Sequence, residues 1–334
     1  MSIKTALFIY NPASGTAENA DLWLGSVIHA LCERLNYRVS VVATQPNMTG
    51  KEMLDCYEGI SDPDLIVVAG GDGTIRLLLG ALSETGSKTP VGIIPLGTGN
   101  QLARNLGFYE PSLLTDSIDD AINVIAAGYS ETVDLGRMNG EYFCIAAGIG
   151  PLSDAVASPS ARDKANLKML AYVGSIVQTL GAPPVVFHVK IEDEEGFDVA
   201  ASGIFATNVP DLGVGTLSHT ASVNDGYLDL CILSPNELPD YLALGFGFAT
   251  SFFGGPAPYY IRKIKRAEIT VVRKRSPLSM MQTLAHRVRS TLLGKPRRAP
   301  IYAEVPASVD GDISGTTPVL LEVVPSAVNV LRPR

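Results

Sequence analysis

The chain has 334 residues, 46% hydrophobic and 18% charged, a composition ordinary for folded protein in a chain longer than one typical core supports. Its four cysteines, Cys32, Cys56, Cys144 and Cys231, are far apart and form no Cys-x-x-Cys pair, which argues against a disulfide framework and a structural zinc site. The formal net charge is −8 and no nucleic-acid partner is expected; a reducing, cytoplasmic setting fits best.

The chain opens on "KTALFIY", apolar and β-prone, which reads as a first strand rather than a secretion signal. The turn "NPASG" (11–15) follows, and then Leu24, Val27, Ile28, Leu31 and Leu35 recur at helical spacing. "YRVSVVA" (37–43) predicts a second strand and Thr49–Gly59 a helix; "LIVVA" (65–69) predicts a third strand with a helix from Thr74 to Leu82. "VGII" (91–94) predicts a fourth strand and "DDAINVIAAG" (119–128) a further helix. Alternating strands and helices imply a parallel sheet with helices on its faces, so residues 1–131 are expected to form an α/β nucleotide-binding domain, joined by the last residues, about 325–334.

Beyond residue 131 the texture changes. "TVDLGRM", "EYFCIAA", "PVVFHVKIED", "DVAASGIFATN", "YLDLCIL", "AEITVV" and "VLLEVV" are strand-like runs, interrupted by helical patterns near 162–180 and 238–252. Residues 132–324 are therefore expected to form a mainly antiparallel β domain. The most lipid-like stretch, "YLALGFGFATSFFGG" (241–255), is shorter than the roughly 20 residues a spanning helix needs.

Charge is uneven. Residues 262–298 hold 12 of the 26 basic residues and one acid, Glu268, while the rest of the chain carries 14 bases against 33 acids. Within this stretch, an insertion at about 274–299 holds "SPLSMMQTLAHRVRSTLL" (276–293), where Met281, Leu284, Ala285, Val288 and Leu292 make an apolar stripe with Arg287 and Arg289 off it. Segment 276–298 is a candidate contact for an anionic membrane surface; a helix packed on its own domain is the alternative.

Three glycine-rich turns sit at the carboxyl ends of predicted strands: "NPASG" (11–15), "GGDGT" (70–74) and "PLGTGNQLAR" (95–104). Ligands bind at that edge of an open α/β sheet. Glycine lets backbone N–H groups approach a phosphate, and the helix after each turn adds further N–H groups and a positive dipole end. Asp72 would repel a polyphosphate unless a hard cation such as Mg²⁺ lies between them. No G-x-x-x-x-G-K-[ST], G-x-G-x-x-G after a strand, or G-x-S-x-G elbow is present.

"NPASG", "GGDGT" and "PLGTGN", in this order and spacing, resemble the diacylglycerol kinase catalytic domain, the family that also holds sphingosine and bacterial lipid kinases. The resemblance continues through "VDLGRMNGEYFCIAAGIG" (133–150), "NDGYLDL" (224–230) and "VDGD" (309–312). It implies an α/β N-terminal domain with a parallel sheet, related to NAD kinase, and a β-sandwich-like C-terminal domain that meets the lipid. It also implies transfer of the ATP γ-phosphate to a lipid hydroxyl such as that of diacylglycerol, with Mg²⁺, by a protein peripherally associated with a membrane. β-Rich domains of this kind can pair as homodimers.

By position, the resemblance implies that Asn11, Ser14, Gly15, Gly70, Gly71, Asp72, Gly73, Thr74, Thr98 and Asn100 line the ATP–Mg²⁺ site, with Thr44 flanking the adenosine. It gives Asp310 the proton of the substrate hydroxyl and Asp72 the nucleotide's cation. Asp225 falls at a structural metal position, with nearby carbonyls such as that of Tyr227 as co-ligands and Asp134 in a water network between the metals. "NDG" and "VDG" are also good hairpin turns, so Asp225 and Asp310 have a plain structural reading. The chain departs from the family pattern at Arg76-Leu77 (an Asn-Glu pair in the family), Gln101 (Asp), Ile145 (Asn) and Asp312 (Glu), and in the 274–299 insertion. Leu77 and Gln101 motivate an alternative, a catalytically weak nucleotide- or lipid-binding regulator of the same fold. Phosphorylation of a soluble dinucleotide, by analogy with NAD kinase, is a third reading.

Overall fold

The structure is a computed structural model that describes residues 4–14, 20–59, 62–108, 117–151, 184–213, 216–234, 259–272 and 304–334. The predicted helices near 162–180 and 238–252 and the basic helix at 276–293 lie outside the described residues. The chain divides into two compact units: Met1–Leu135 with Val223–Gly226 and Val324–Arg334, and Gly136–Ser222 with Tyr227–Val323.

The first unit contains β1 (Lys4–Tyr10), α1 (Ala20–His29), β2 (Tyr37–Ala43), α2 (Gly50–Asp55), β3 (Leu65–Gly70), α3 (Asp72–Thr85), β4 (Val91–Pro95), α4 (Gln101–Asn105) and α5 (Ser117–Ala127). Its strands pair in parallel in the order β2-β1-β3-β4. Each strand is joined to the next by a helical crossover, which a parallel pair requires. Both faces are covered, so β3 is buried at every position and reads as a continuous apolar run. One face packs Phe8, Val67 and Ile94 with Trp23, Val27 and Leu31, and with Ile122 and Ile125 of α5. α2 begins at a capping box: Thr49 Oγ1 accepts from the Glu52 N–H, and the Glu52 carboxylate accepts from the Thr49 N–H. The helix stops at Asp55, earlier than the sequence predicts, because Tyr57 N–H turns back to the Leu54 carbonyl.

β5 (Ser130–Met138) carries the chain out of the first unit. The second unit holds β6 (Glu141–Phe143), β7 (Ala146–Ile149), β8 (Val185–Ile191), β9 (Phe197–Ala201), β10 (Gly203–Thr207), β11 (Leu228–Leu233), β12 (Tyr259–Ile264), β13 (Arg266–Val271), β14 (Pro306–Val309) and β15 (Asp312–Thr316). β16 (Val319–Leu331) starts in this unit and ends in the first, where Val330 pairs in parallel with Val91. One antiparallel sheet runs β12-β11-β10-β7-β14-β15. In the other, β13 pairs antiparallel with β8 and β16, and β8 with β9. A core of Phe143, Phe187, Val189, Ile204, Leu230, Ile269 and Leu321 draws on both. The α/β first unit and antiparallel second unit are the architecture the sequence predicts.

Two runs that read as single strands are broken. "EYFCIAA" divides at Cys144–Ile145 into β6 and β7, and "DVAASGIFATN" divides at Ser202 into β9 and β10. A continuous apolar run does not show where a strand changes partners. "YYIRKI" carries no clear period-two signal, yet it forms β12 by pairing with β11.

Candidate active site

The three glycine turns gather along one rim of the first unit's sheet. Asn11 ends β1, donates its N–H to the Ala69 carbonyl at 2.9 Å, and accepts the Ala13 N–H on Oδ1 at 2.9 Å. Its Nδ2 donates to Thr74 Oγ1 at 3.0 Å, which fastens the first turn to the start of α3. Ser14 N–H closes the turn on the Asn11 carbonyl at 3.2 Å. Gly15 lies outside the described residues. Thr44, at the end of β2, donates its N–H to the Tyr10 carbonyl at 2.9 Å and lies on the same edge.

The second and third turns meet backbone to backbone. A Cβ placed on Gly97 would lie 2.5 Å from the Gly71 Cα, a distance real Cβ atoms do not reach. Position 97 must therefore lack a side chain for the bends to lie this close, while a Cβ on Gly71 would stand 3.3 Å from the Gly97 Cα. Leu96 N–H donates to the Gly70 carbonyl at 3.0 Å just below this contact. Asp72, the first residue of α3, accepts the Leu102 N–H on Oδ1 at 3.2 Å and so pins the start of α4 to the start of α3. The Asp72 carboxylate, expected to hold a cation, also makes this structural bond. Asn100 is buried in the left-handed conformation (φ 51°), which asparagine tolerates, and its Nδ2 donates to the Gly97 carbonyl at 2.7 Å. Thr98 is exposed on the rim.

This arrangement suits a polyphosphate. Gly71 caps α3 without a side-chain hydrogen bond, so the N–H groups of the first helical turn have no capping side chain. Nothing lies within 4 Å of where a Cβ on Gly73 would stand. Arg104, beyond the residues singled out from sequence, donates Nε to the Gly99 carbonyl at 3.1 Å and brings positive charge to the third turn.

Asp134 is buried in the first unit, with Oδ2 accepting the Gly226 N–H at 2.6 Å and Oδ1 the Ser326 N–H at 2.7 Å. Its own N–H donates to the Val223 carbonyl. One side chain thus ties β5 to two distant returns of the chain. Asp134→Ala should cost about 2–4 kcal/mol, since two N–H groups lose their acceptor. Urea unfolding measures this, and an unchanged midpoint would show that the bonds contribute nothing. Asp225 is half-buried in the same turn as Gly226, and the exposed Tyr227 ring carries Lys265 Nζ at 5.2 Å from its centroid. Among the described residues no three His, Cys, Asp or Glu side chains converge as an ion site.

In the second unit Asp310 and Gly311 form the two-residue turn between β14 and β15, both at positive φ (48° and 91°), as the "VDG" hairpin signal predicts. The Asp310 carboxylate reaches the break between β6 and β7: Oδ2 accepts the Cys144 N–H at 2.8 Å, and Oδ1 accepts the Ile145 and Ala146 N–H groups at 2.8 and 3.0 Å. Asp310 N–H returns to the Ala146 carbonyl at 2.9 Å. The hairpin-turn reading of this residue is the one this geometry shows. On β11, burial first and the Asp229 carboxylate second push the Cys231 thiol's pKa upward, which leaves it protonated and inert.

Comparison with known proteins now identifies the chain. The diacylglycerol kinase catalytic domain pattern matches residues 5–138. A diacylglycerol kinase of Bacillus subtilis is 31% identical over 243 residues, which span 72% of this chain and 77% of that protein. This chain belongs to the diacylglycerol kinase family. It is a lipid kinase by that membership. The kinase shares its fold with a crystal structure of a diacylglycerol kinase from Bacillus anthracis (TM-score 0.70, 21% identity, 100% and 98% of the two chains). An Archaeoglobus fulgidus NAD kinase, solved with ATP, has the same fold more distantly (TM-score 0.50, 11% identity, 98% and 94% of the two chains). Among the described residues no helix is long and apolar enough to cross a membrane.

Proposed function

We propose that the protein transfers the γ-phosphate of ATP, with Mg²⁺, to the hydroxyl of diacylglycerol or a similar long-chain alcohol. The observation that carries this reading is the backbone packing of Gly71 on Gly97, which brings two N–H-rich turns together at the start of α3. The turns at Asn11–Ser14, Gly70–Thr74 and Pro95–Asn100 hold the phosphates through main-chain N–H groups, and Thr44 flanks the adenosine. Mg²⁺ bound with ATP would neutralise charge on the transferring group, and Asp72 is the residue that would hold it.

Asp310 accepts the proton of the attacking hydroxyl. Three N–H donors fix its orientation. Phosphoryl transfer draws mainly on positioning and charge stabilisation, so an oriented acceptor is what the reaction needs. The protein meets its lipid by peripheral docking on a bilayer, with segment 276–298 as the contact.

Calorimetry with ATP, with and without Mg²⁺, tests the nucleotide half of this reading. ATP should bind in the presence of Mg²⁺, and Asp72→Asn should weaken that binding while leaving metal-free binding less affected. Wild-type affinity in Asp72→Asn would remove Asp72 from the site. Tight binding with no transfer to any acceptor would favour the regulator reading, for which Leu77 and Gln101 are the motive.

A further inference from the structure

We propose that the phosphate rim of this kinase binds ATP almost as well without a divalent cation as with one, because Arg76, Leu77 and Gln101 leave the rim more positive than the family pattern does. This rests on the reading of the three glycine turns as the nucleotide site. Across residues 11–15, 70–77 and 95–104, Asp72 is the one acid, set against the bases Arg76 and Arg104. Arg76, Leu77 and Gln101 are three of the chain's departures from the family pattern, and each moves charge in the same direction. One base is gained, and two acids are lost.

All three positions lie within electrostatic reach of the start of α3. The helix begins at Asp72 and rises about 1.5 Å per residue, so Arg76 and Leu77 stand about 6 and 7.5 Å further along its axis. Charges act over roughly 8–10 Å before salt screens them. Arg76, four residues on, shares a face of the helix with Asp72. Leu77 is exposed, at 40%, so no core packing accounts for an apolar residue there. Gln101, the first residue of α4, lies beside the Asp72 carboxylate: a Cβ on Gly99 would be 3.0 Å from Asp72 Oδ2 and 3.7 Å from Gln101 Nε2. A second carboxylate here would repel both Asp72 and the phosphates, and the neutral amide does neither. Arg104 Nε, on the Gly99 carbonyl, keeps a further positive charge at this turn. Metal-free ATP carries about twice the negative charge of its Mg²⁺ complex, so each positive shift at the rim favours the metal-free form about twice as strongly. Three shifts in one direction bring the two affinities together. Free ATP is then a competitor at this site, filling the turns without the cation that transfer needs.

The test is calorimetry of ATP binding without acceptor, in EDTA and in saturating Mg²⁺, on wild type, Leu77→Glu, Gln101→Glu and Arg76→Gln. Wild type should bind ATP in EDTA within about tenfold of its affinity in Mg²⁺. Each variant should lose about tenfold in EDTA and about threefold in Mg²⁺, one unit of charge acting on the larger and the smaller anionic charge. Leu77→Glu changes an exposed position and serves if either of the other variants fails to fold. A second readout is phosphate transfer to the best acceptor in a panel of dioleoylglycerol, ceramide, sphingosine and monooleoylglycerol. Wild-type transfer should fall as ATP is raised above Mg²⁺, and Leu77→Glu should relieve that inhibition. Wild-type binding more than about tenfold weaker in EDTA than in Mg²⁺, or folded variants that lose affinity equally in both, would overturn the proposal. No ATP binding in either condition would instead overturn the reading of the turns as the nucleotide site.

Discussion

Gly97→Ala is expected to lose ATP-dependent phosphate transfer by about a hundredfold or more, the scale of a misplacement near 1 Å in a reacting centre. The added methyl would stand 2.5 Å from the Gly71 Cα and 2.8 Å from Asn100 Oδ1. Asn100 can rotate at the cost of its bond to the Gly97 carbonyl, but Gly71 is backbone at the cap of α3 and can only move with the turn. The two bends must then separate, taking with them the N–H groups aimed at the phosphates. Overpacking of this kind also costs about 1–3 kcal/mol of stability. Gly73→Ala makes the contrast. Its methyl meets no atom within 4 Å beyond its chain neighbours and its own helix, and it lies in the first helical turn, where alanine is favoured over glycine by at most about 1 kcal/mol. The Gly73 variant should be as stable as wild type or more so, yet bind ATP more weakly, because the methyl enters the space assigned to phosphate. Equal ATP affinity in Gly73→Ala and wild type would place the nucleotide elsewhere.

Asp310→Asn should lower kcat by about 10²–10⁴-fold, the usual contribution of a positioned proton acceptor. The replacement is the same size, but one of its two ends becomes an NH₂ group. That end must face either the Cys144 N–H or the paired Ile145 and Ala146 N–H groups, donor against donor. Some stability is lost too, about 1–3 kcal/mol for the unsatisfied donors. Stopped activity in a protein that still melts cooperatively and binds ATP as wild type does would locate the defect in transfer. Undiminished kcat would show that the carboxylate only builds the turn.

The parts of this protein legible in its sequence are those where local chemistry and position agree. The run "LIVVAGGDGT" announces a buried strand, a tight bend and a helix start, and the structure has β3, the Gly71 cap and α3 there. Likewise "VDGD" announces a hairpin, and Asp310–Gly311 form one. What the sequence does not carry is the long-range partner of each group. Asp72 looked free for a cation, and its bond to Leu102 spans 30 residues of chain that no period reveals. Asn208 ends the strand-like run "DVAASGIFATN", and its bond to the Cys144 carbonyl spans 64 positions of chain. "EYFCIAA" reads as one strand because apolar residues run through it, whereas at the Cys144–Ile145 break the N–H groups bond a carboxylate from the far end of the chain. The signal that could have found it was the pairing of two features already visible: a turn acid without a local partner, and a strand too apolar to show its own register.

The central claim is that main-chain N–H groups of converging glycine turns hold a triphosphate for transfer to a lipid. The most direct measurement is transfer of radiolabelled γ-phosphate from ATP, with Mg²⁺, to that acceptor panel, comparing wild type with Gly97→Ala and Asp310→Asn. The account predicts a labelled lipid product with wild type, most strongly from a diacylglycerol or another long-chain alcohol, and near-background product with either variant. No labelled lipid with wild type, or equal labelling by all three proteins, would contradict it.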